Sequence, residues 1–293
     1  MRISVCITHY NRPESLGATL ASLVAQTRLP DEIFLWDDCS PNDPSAVVAE
    51  WKDRFPHFVY HRNAENRGMP GNLNDVIQQA TGDYVANLHD ADIYHPRLLE
   101  KWAAALDRAP DAGLVFCRDS RWDNPRFVRH WTPEPAELTG GVEFFRRHYI
   151  GRVDSIIWGT AMVRKSIYDQ LLPFDPQHKN WADVDMWMRV CACAGIAFVP
   201  EQLIKLDDNP THGGRFSFER MRRVQEAVLS NAGRIFSNAD LESVHELQEN
   251  AWRRLWFRWM VGRLKHGEWR ELWTGIRMSK GRHSPVTKYT RRH

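Results

Sequence analysis

The stretch ISVCITHYNRPESLGATLASLVAQT, residues 3–27, sets the fold, because an apolar strand leads through polar residues into a helix. The strand covers Ile3–Thr8 and the helix Pro13–Ala25, with a proline in the first helical turn, where it is well tolerated. The same alternation continues, with strands at 32–38, 58–61, 83–88 and 113–117 and helices at 43–54, 71–80 and 96–108. Short strands separated by helices predict an α/β fold with a mostly parallel sheet flanked by helices.

The remainder of the chain is less regular. Residues 120–155 are irregular and rich in Trp and Arg, and 155–165 reads as a strand. A helix over 181–195 and two short strands at 196–199 and 202–206 follow, and beyond Phe216 the pattern is helical. We therefore predict a domain over 1–215, with halves at 1–120 and 121–215, and a helical, basic C-terminal extension over 216–293.

Charge is distributed unevenly along the 293 residues, which carry a net charge of only +2. Residues 252–293 hold twelve lysines and arginines against two glutamates. Six apolar residues there follow helical spacing: Trp252, Leu255, Trp256, Trp259, Met260 and Leu264. The pattern is typical of a helix lying on an anionic membrane surface, and it equally fits a helix packed on the preceding domain. A nucleic acid partner is not expected, because no recognition module accompanies the charge.

Cysteine usage and hydropathy indicate the compartment. The five cysteines are an odd number without metal-type spacing, which favours a reducing environment. The N-terminus lacks the pattern of a signal peptide, and no run of about 18 apolar residues predicts a membrane span. We expect a cytoplasmic protein with peripheral attachment to the inner membrane face as one option.

Four predicted strands end in polar residues: THYNRP, DDCSP, HRNAENRG and HDADIYHP. Ligands of parallel α/β sheets bind at the carboxyl ends of the strands, so these segments predict a functional face. The alternative is that any strand ends in polar turn residues. Asp37 and Asp38 could accept hydrogen bonds from a nucleobase or a ribose, or serve only the turn.

Asp90 and Asp92 are two residues apart, which in an extended segment aims both carboxylates the same way. Such a pair suits Mg²⁺ or Mn²⁺, with substrate phosphates completing the coordination shell. The alternative is a helix cap before Pro96.

Two later segments carry candidate chemistry. Asp183 and Asp185 open a predicted helix and could supply a general base, or simply cap the helix. PTHGGRFS, 210–217, offers His212 as a ligand and Arg215 for phosphate, or forms a flexible loop. No zinc-type ligand set, no GxxxxGK[ST] and no GxGxxG after the first strand is present in the sequence.

Taken in order, ISVCITHYNRPESLGATLASLVAQT, EIFLWDDCSPND, NRGMPGNLNDVIQQATGDYV, HDADIYHP and WADVDMWMRV resemble glycosyltransferase family 2, of the GT-A fold, over about residues 2–217. The resemblance implies inverting transfer of a sugar from a nucleotide-diphosphate sugar, expected to be of the UDP type, to a carbohydrate or lipid-linked acceptor. Polysaccharide or glycolipid assembly is the implied setting, and Mn²⁺ or Mg²⁺ the implied cofactor.

The resemblance also assigns roles to residues. The implied nucleotide contacts are Thr8, Tyr10, Arg12, Asp38, Arg67 and Asp90. The implied metal contacts are Asp90 and Asp92, with His89 and His212 as weaker candidates. Arg215 is expected to bind the diphosphate and Asp183 to act in catalysis. The segment WGTAMVRK resembles the strand that borders the sugar pocket, which nominates Trp158, Gly159 and Thr160, and Trp181 and Asp185 join them. Trp122 and Trp131 are further candidates for stacking on sugar rings.

Four positions depart from the family pattern: His89 and Ala91 stand in acid positions of the strand-four motif, Leu73 replaces a frequent Arg, and Ala182 replaces the acid that commonly precedes the base. Either Asp90 and Asp92 bind the metal with a one-residue shift, or metal binding is weaker and involves His89. Two other functions stay open, a sugar-1-phosphate nucleotidyltransferase and a non-catalytic nucleotide-sugar-binding protein. The nucleotidyltransferase would need a Gly-rich loop after the first strand, where THYNRPES has no glycine.

Overall fold

The computed structural model describes residues 1–121, 131–152, 155–171, 173–207, 218–265, 267 and 269. The chain divides into two compact units. The sheet unit comprises Met1–Phe144 and Ile157–Gly213, and the helical unit comprises Phe145–Ile156 and Gly214–His293. The predicted boundary near residue 215 stays a prediction.

The first half of the sheet unit has the predicted strand and helix alternation. Its elements are β1 Ile3–His9, α1 Pro13–Val24, β2 Glu32–Asp37, α2 Ser45–Trp51, β3 Phe58–Arg62, α3 Gly68–Gln79 and β4 Tyr84–His89. A short 3₁₀ turn, Lys52–Arg54, follows α2. The strands lie in the order β3-β2-β1-β4 and all three pairings are parallel. The carboxyl ends of these strands therefore meet at one edge of the sheet, as predicted.

The second half of the sheet unit is mixed. Its elements are β5 Ile93–Tyr94, α4 Leu98–Arg108, β6 Ala112–Arg121, β7 Leu138–Thr139, α5 Gly141–His148, β8 Ala161–Arg164, α6 Lys165–Gln170, a 3₁₀ turn Pro176–Trp181, α7 Ala182–Cys191 and β9 Gly195–Leu206. The sheet continues from β4 through β8, β6 and β9 to β5. β8 runs antiparallel to β4 and β6, whereas β6 and β9 are parallel. The α/β fold is confirmed, and parallel pairing dominates only up to β4.

Several predicted boundaries in this half were wrong. The strand expected at 155–165 is only Ala161–Arg164, because the chain turns directly into α6. The two strands at 196–199 and 202–206 form one strand, β9, whose pairing with β6 shifts register around Pro200. Proline has no N–H to donate, so a bulge is where a strand can accommodate it. The helix expected over 181–195 ends at Cys191, since Gly195 already opens β9.

Apolar strands and helix faces build one buried core in the sheet unit. Fully buried residues include Val5 and Ile7 on β1, Leu20 on α1 and Trp102 on α4. Burial of about 25 cal/mol per Å² of apolar surface is the main stabilising contribution. This core fixes β1, β2 and β4 side by side and so holds their polar ends in position.

The helical unit contains α8 Phe218–Ile235 and α9 Asn238–Lys265. Gln248 of α9 is fully buried, and its Oε1 accepts the amide N–H of Gly151 at 2.5 Å. The Phe145 and Phe236 rings also pack together, with centroids 6.0 Å apart. Within the described residues, no helix is both long and apolar enough to cross a lipid bilayer.

The apolar side chains at the basic end of α9 differ in exposure. Trp256 and Trp259 of the predicted face stack with centroids 5.2 Å apart and are half-buried. Leu264 of the same face is 46% exposed, and Phe257, which was not assigned to it, is 64% exposed. Residues 266, 268 and 270–293 of the basic segment lie outside the described residues.

Candidate active site

A cavity of about 490 Å³ lies at the carboxyl ends of β1, β2 and β4 and the start of α3. It is lined by Thr8, His9, Tyr10, Arg12, Asp38, Asn66, Gly68, Met69, Asn72, His89, Asp90, Ala91, Asp92, Asn180 and Asp207. This volume is within the usual range for a site that binds a small molecule. The structure thus brings together seven of the predicted residues: Thr8, Tyr10, Arg12, Asp38, His89, Asp90 and Asp92.

Asp90 is surrounded by the end of β1. The Arg12 guanidinium donates to its Oδ1 at 3.2 Å, and the Tyr10 amide N–H donates to Oδ2 at 3.3 Å. His9 Nδ1 lies 2.7 Å from the same Oδ2. Residue 90 is adjacent to this segment because Thr8 pairs with His89 in the parallel β1–β4 register. The carboxylate is almost fully buried, at 5% side-chain exposure, so its charge is balanced by protein groups.

Asp92 and His89 form a second cluster on the cavity wall. His89 Nδ1 lies 3.2 Å from Asp92 Oδ2, and the Thr160 hydroxyl donates to the same oxygen at 3.4 Å. Asp92 Oδ1 accepts the amide N–H of Asp207 at 3.0 Å. Burial of the imidazole opposes its positive form, but the hydrogen bond and charge of Asp92, with the charges of Asp183 and Asp90, raise the pKa of His89.

Gly159 brings His89 close to Asp183. A Cβ built on Gly159 would lie 2.2 Å from His89 Nε2 and 3.1 Å from Asp183 Oδ2. Asp183 is on the first turn of α7, is 7% exposed, and its Oδ1 accepts the amide N–H of Val184 at 2.7 Å. The imidazole and the carboxylate of the predicted base therefore face each other across a position where a side chain would not fit.

Asp38 holds the start of α3. Its oxygens accept the amide N–H groups of Arg67 and Gly68 at 2.8 and 2.9 Å and the Asn63 side-chain amide at 3.0 Å. A carboxylate at a helix N-terminus is stabilised by the helix dipole. The Arg67 guanidinium pairs with Asp75 at 3.0 Å, so its described contact is with α3 itself. The proposed nucleotide contacts of Asp38 and Arg67 stay predictions.

Asp185 lies in an ion pair inside the sheet unit. Arg189 Nε donates to Asp185 Oδ2 at 2.9 Å, and both side chains are nearly fully buried. Its other oxygen lies 3.6 Å from His178 Nε2. The structure thus gives Asp185 a stabilising ion pair one turn along α7, and its predicted acceptor role stays a prediction.

The aromatic candidates occupy different surroundings. Trp158 and Trp181 are half-buried and meet edge to face, with centroids 6.0 Å apart. Trp187 Nε1 donates to the Trp158 carbonyl at 2.9 Å, which attaches the segment before β8 to α7. The Trp131 ring packs against the Phe198 ring, with centroids 5.7 Å apart, as part of an aromatic cluster. Trp122, His212 and Arg215 lie outside the described residues.

Eight lining residues were not predicted as site residues: His9, Asn66, Gly68, Met69, Asn72, Ala91, Asn180 and Asp207. His9, Asn66 and Asp207 follow or end strands, so the strand-end argument could have found them. Asn180 immediately precedes Trp181 on the way into α7, and Met69 and Asn72 depend on where α3 begins. Only the tertiary fold shows that these last three face the cavity.

The side chains of the described residues do not by themselves supply a complete set of ligands for a cation. Among the described residues, no group of three or more His, Cys, Asp or Glu side chains is arranged to hold a metal ion. Asp90, Asp92 and His89 nevertheless line one cavity and offer the oxygen and nitrogen donors that Mn²⁺ accepts. Such a site would need oxygens from a bound ligand, as magnesium-type sites with substrate phosphates do.

Comparison with known proteins gives both sequence and structural relatives. Putative glycosyltransferase EpsE of Bacillus subtilis is 24% identical over 196 residues, covering 64% of this chain and 66% of EpsE. An uncharacterized glycosyltransferase of Haemophilus influenzae is 31% identical over 114 residues, covering 39% of this chain and 37% of that protein. The chain thus spans slightly less than two thirds of EpsE and a smaller part of the second relative.

The fold is shared with solved structures. S. aureus TarS, residues 1–349, superposes with a TM-score of 0.67 at 17% identity, covering 86% of this chain and 71% of that one. The mannosyltransferase PcManGT from Pyrobaculum calidifontis, in complex with GDP-Man and Mn²⁺, gives 0.56 at 15% identity, covering 99% and 83%. The sequence signature described as Glycosyl transferase family 2 matches residues 4–172, more than half of the chain. The chain therefore belongs to glycosyl transferase family 2.

Proposed function

We propose that this protein transfers a sugar from a nucleotide-diphosphate sugar to a hydroxyl group of an acceptor, with inversion at the anomeric carbon. One observation carries the proposal: the buried carboxylate of Asp183 faces His89, a residue that lines the strand-end cavity, across Gly159. A buried carboxylate this close to a residue of the cavity wall can act as a general base toward an acceptor hydroxyl.

The nucleotide would lie along the ends of β1 and β2 in this proposal. Thr8, Tyr10 and Arg12 offer a hydroxyl, an aromatic ring and a guanidinium to the cavity, and Tyr10 is 48% exposed there. TarS has been solved with UDP and with UDP-GlcNAc, and PcManGT with GDP-Man. These neighbours support a nucleotide-sugar donor, and we propose the UDP type first.

A divalent cation fits the charges of the cavity. The described lining carries four aspartates, Asp38, Asp90, Asp92 and Asp207, against one arginine. A diphosphate entering an acidic cavity is repelled unless a cation lies between the two. We propose that Asp90 and Asp92, with His89, hold Mn²⁺ or Mg²⁺ together with phosphate oxygens. When bound, the cation would supply positive charge that stabilises the departing diphosphate.

The residues of the chain define the transfer itself. The acceptor oxygen attacks the anomeric carbon as the bond from that carbon to the diphosphate oxygen breaks, and nucleoside diphosphate leaves. The Asp183 carboxylate, whose Oδ1 accepts the Val184 N–H, takes the hydroxyl proton. Attack from the face opposite the diphosphate inverts the configuration. Trp158 and Trp181 would border the sugar or acceptor, because their segments flank Gly159 and Asp183.

The test is release of nucleoside diphosphate from a panel of UDP- and GDP-sugars, with Mn²⁺ and with a chelator. We expect Asp183→Asn to lower turnover by at least about 100-fold, the usual contribution of a general base. Asp53→Asn, at an exposed site on the 3₁₀ turn after α2, is the matched control and should retain wild-type turnover. Wild-type turnover in Asp183→Asn, or no release with any donor and acceptor, would reject the proposal.

We also propose that the acceptor is presented on an anionic membrane surface, which would suit a lipid-linked carbohydrate in polysaccharide or glycolipid assembly. The exposed side chains of Phe257 and Leu264 alternate along α9 with the exposed Arg254 and Arg258. A basic helix with exposed apolar residues binds anionic interfaces. Co-sedimentation with phosphatidylserine vesicles should fall in Arg254→Glu/Arg258→Glu and in high salt. Equal sedimentation of variant and wild type would reject membrane binding.

A further inference from the structure

His9 is a buried histidine at the end of β1 that no part of the proposed chemistry has used. Its side chain is 0% exposed, and the residue is among those that line the strand-end cavity. Its backbone is fixed against the β2 side, because His9 pairs with Asp37 in β2 and its carbonyl accepts the Asp38 N–H at 2.9 Å. The position of the ring is therefore set by the sheet.

The surroundings of this ring are unusual for a core histidine. Among the described residues neither ring nitrogen has an aligned hydrogen bond, although Nδ1 lies 2.7 Å from Asp90 Oδ2. An unsatisfied buried polar group is destabilising, so folded proteins usually avoid it. Such costs are concentrated at functional sites, where a bound ligand or a neighbouring charge compensates them.

We infer that His9 is a positioning residue for the donor site, and that it acts through Asp90. This inference rests on the proposed function, which it deepens. His9 Nδ1, on a fully buried side chain, lies 2.7 Å from Oδ2, while the partly exposed Arg12 donates to Oδ1 at 3.2 Å. With the Tyr10 N–H also donating to Oδ2, at 3.3 Å, partners on both oxygens fix the rotation of the carboxylate.

The consequence concerns Arg12, whose side chain is 29% exposed. Arginine and carboxylate readily form a bidentate pair in which both oxygens are occupied. With His9 holding Oδ2, Arg12 contacts a single oxygen and keeps its other N–H groups for the phosphates or the nucleoside of the donor. Without His9, the carboxylate turns onto the guanidinium and removes those donors from the cavity.

Binding of UDP and of GDP, each with Mn²⁺, measured by calorimetry on the full chain, tests the inference. His9→Ala should raise the dissociation constant at least about tenfold, the effect of losing one hydrogen bond from Arg12 to the charged donor. The KM for the donor should rise by a similar factor with kcat within about twofold, because the change acts on binding. His9→Asn should restore most of the affinity, since its amide nitrogen occupies the place of Nδ1, whereas His9→Gln should not.

A coupling measurement separates positioning from a structural role. In an Asp90→Asn background, His9→Ala should change affinity by less than about twofold, because the two residues act as one unit. His57→Asn, at an exposed histidine before β3, is the control for the substitution itself. Circular dichroism melting confirms that each variant is folded.

The possible outcomes separate the two proposals. If wild type binds nucleotide and His9→Ala binds it equally well, the inference about His9 is overturned and the proposed function stands. The same conclusion follows if His9→Asn and His9→Gln bind nucleotide with equal affinity. If the His9 and Asp90 effects are additive, His9 does not act through Asp90 and the inference is again overturned. If wild type binds neither UDP nor GDP with Mn²⁺, the nucleotide site fails and the inference fails with it.

Discussion

Replacing Gly159 with alanine should disturb the contact between the two halves of the candidate site. The added Cβ would lie 2.2 Å from His89 Nε2, whereas ordinary contacts begin at 3.4 Å, so the ring must move by about 1.2 Å. The ring can move, because 45% of the His89 side chain is exposed. We expect a loss of about 1–3 kcal/mol, the usual effect of overpacking, with values near the lower end because the ring can swing outward.

This loss corresponds to a fall of about 3–10 °C in melting temperature for a unit of this size. Turnover should fall further, by at least about tenfold, because the same Cβ would lie 3.1 Å from Asp183 Oδ2 and displace the proposed base. Differential scanning calorimetry and nucleoside diphosphate release measure the two effects. Gly140→Ala is the matched control, since a Cβ there meets no atom within 4 Å.

A double-mutant cycle shows whether the His89 ring is the obstacle. His89→Ala removes the nearest clashing atoms, so Gly159→Ala should destabilise that background by at least about 1 kcal/mol less than it destabilises wild type. Additive effects, or a Gly159→Ala protein with wild-type melting and turnover, would refute the packing argument.

Three further predictions concern stability. Asp185→Asn should lower the free energy of unfolding by about 3 kcal/mol, because it leaves the buried Arg189 charge without its carboxylate. A urea titration measures this change, and a value under about 0.5 kcal/mol would contradict the prediction. Burial lowers the pKa of His148 to about 4, so the free energy of unfolding should decrease by up to about 3 kcal/mol as pH falls from about 6.5 toward 4. Melting curves recorded across this pH range should lose that pH dependence in His148→Gln. Asn74→Ala should cost about 1–3 kcal/mol, since its side chain bonds both the N–H and the carbonyl of Phe174, at 2.8 and 2.9 Å; melting equal to wild type would contradict it.

The first half of the fold could be predicted because its signals are local. The strand Ile3–His9 is a continuous apolar run, and the helix after it buries Leu16, Leu20 and Leu23 at helical spacing. A strand buried on both faces and a helix buried on one leave different patterns in the sequence. Those patterns needed no knowledge of distant residues, so the order of elements up to β4 could be read from them.

Other elements depended on distant contacts and were missed. α3 begins at Gly68, three residues before the predicted start, because the carboxylate of Asp38, directly after β2, accepts its first amide N–H groups. α5 went unpredicted in a stretch that reads as irregular, and it buries Phe144 and Phe145. A helix that is capped or buried by residues far along the chain carries a weak local signal.

The site was predicted by its strand ends, but its central contact follows from an antiparallel pairing that no strand pattern indicates. β8 lies between β4 and β6, and Ala161 pairs with Asn87. Continuing this antiparallel register by two residues places Gly159 beside His89, which is where the structure has it. The same segment is tied to α7 through the Trp158 carbonyl, so His89 and Asp183 meet although they are far apart in sequence. A side chain at residue 159 would separate them, and the glycine is therefore a requirement of the site and not of the turn.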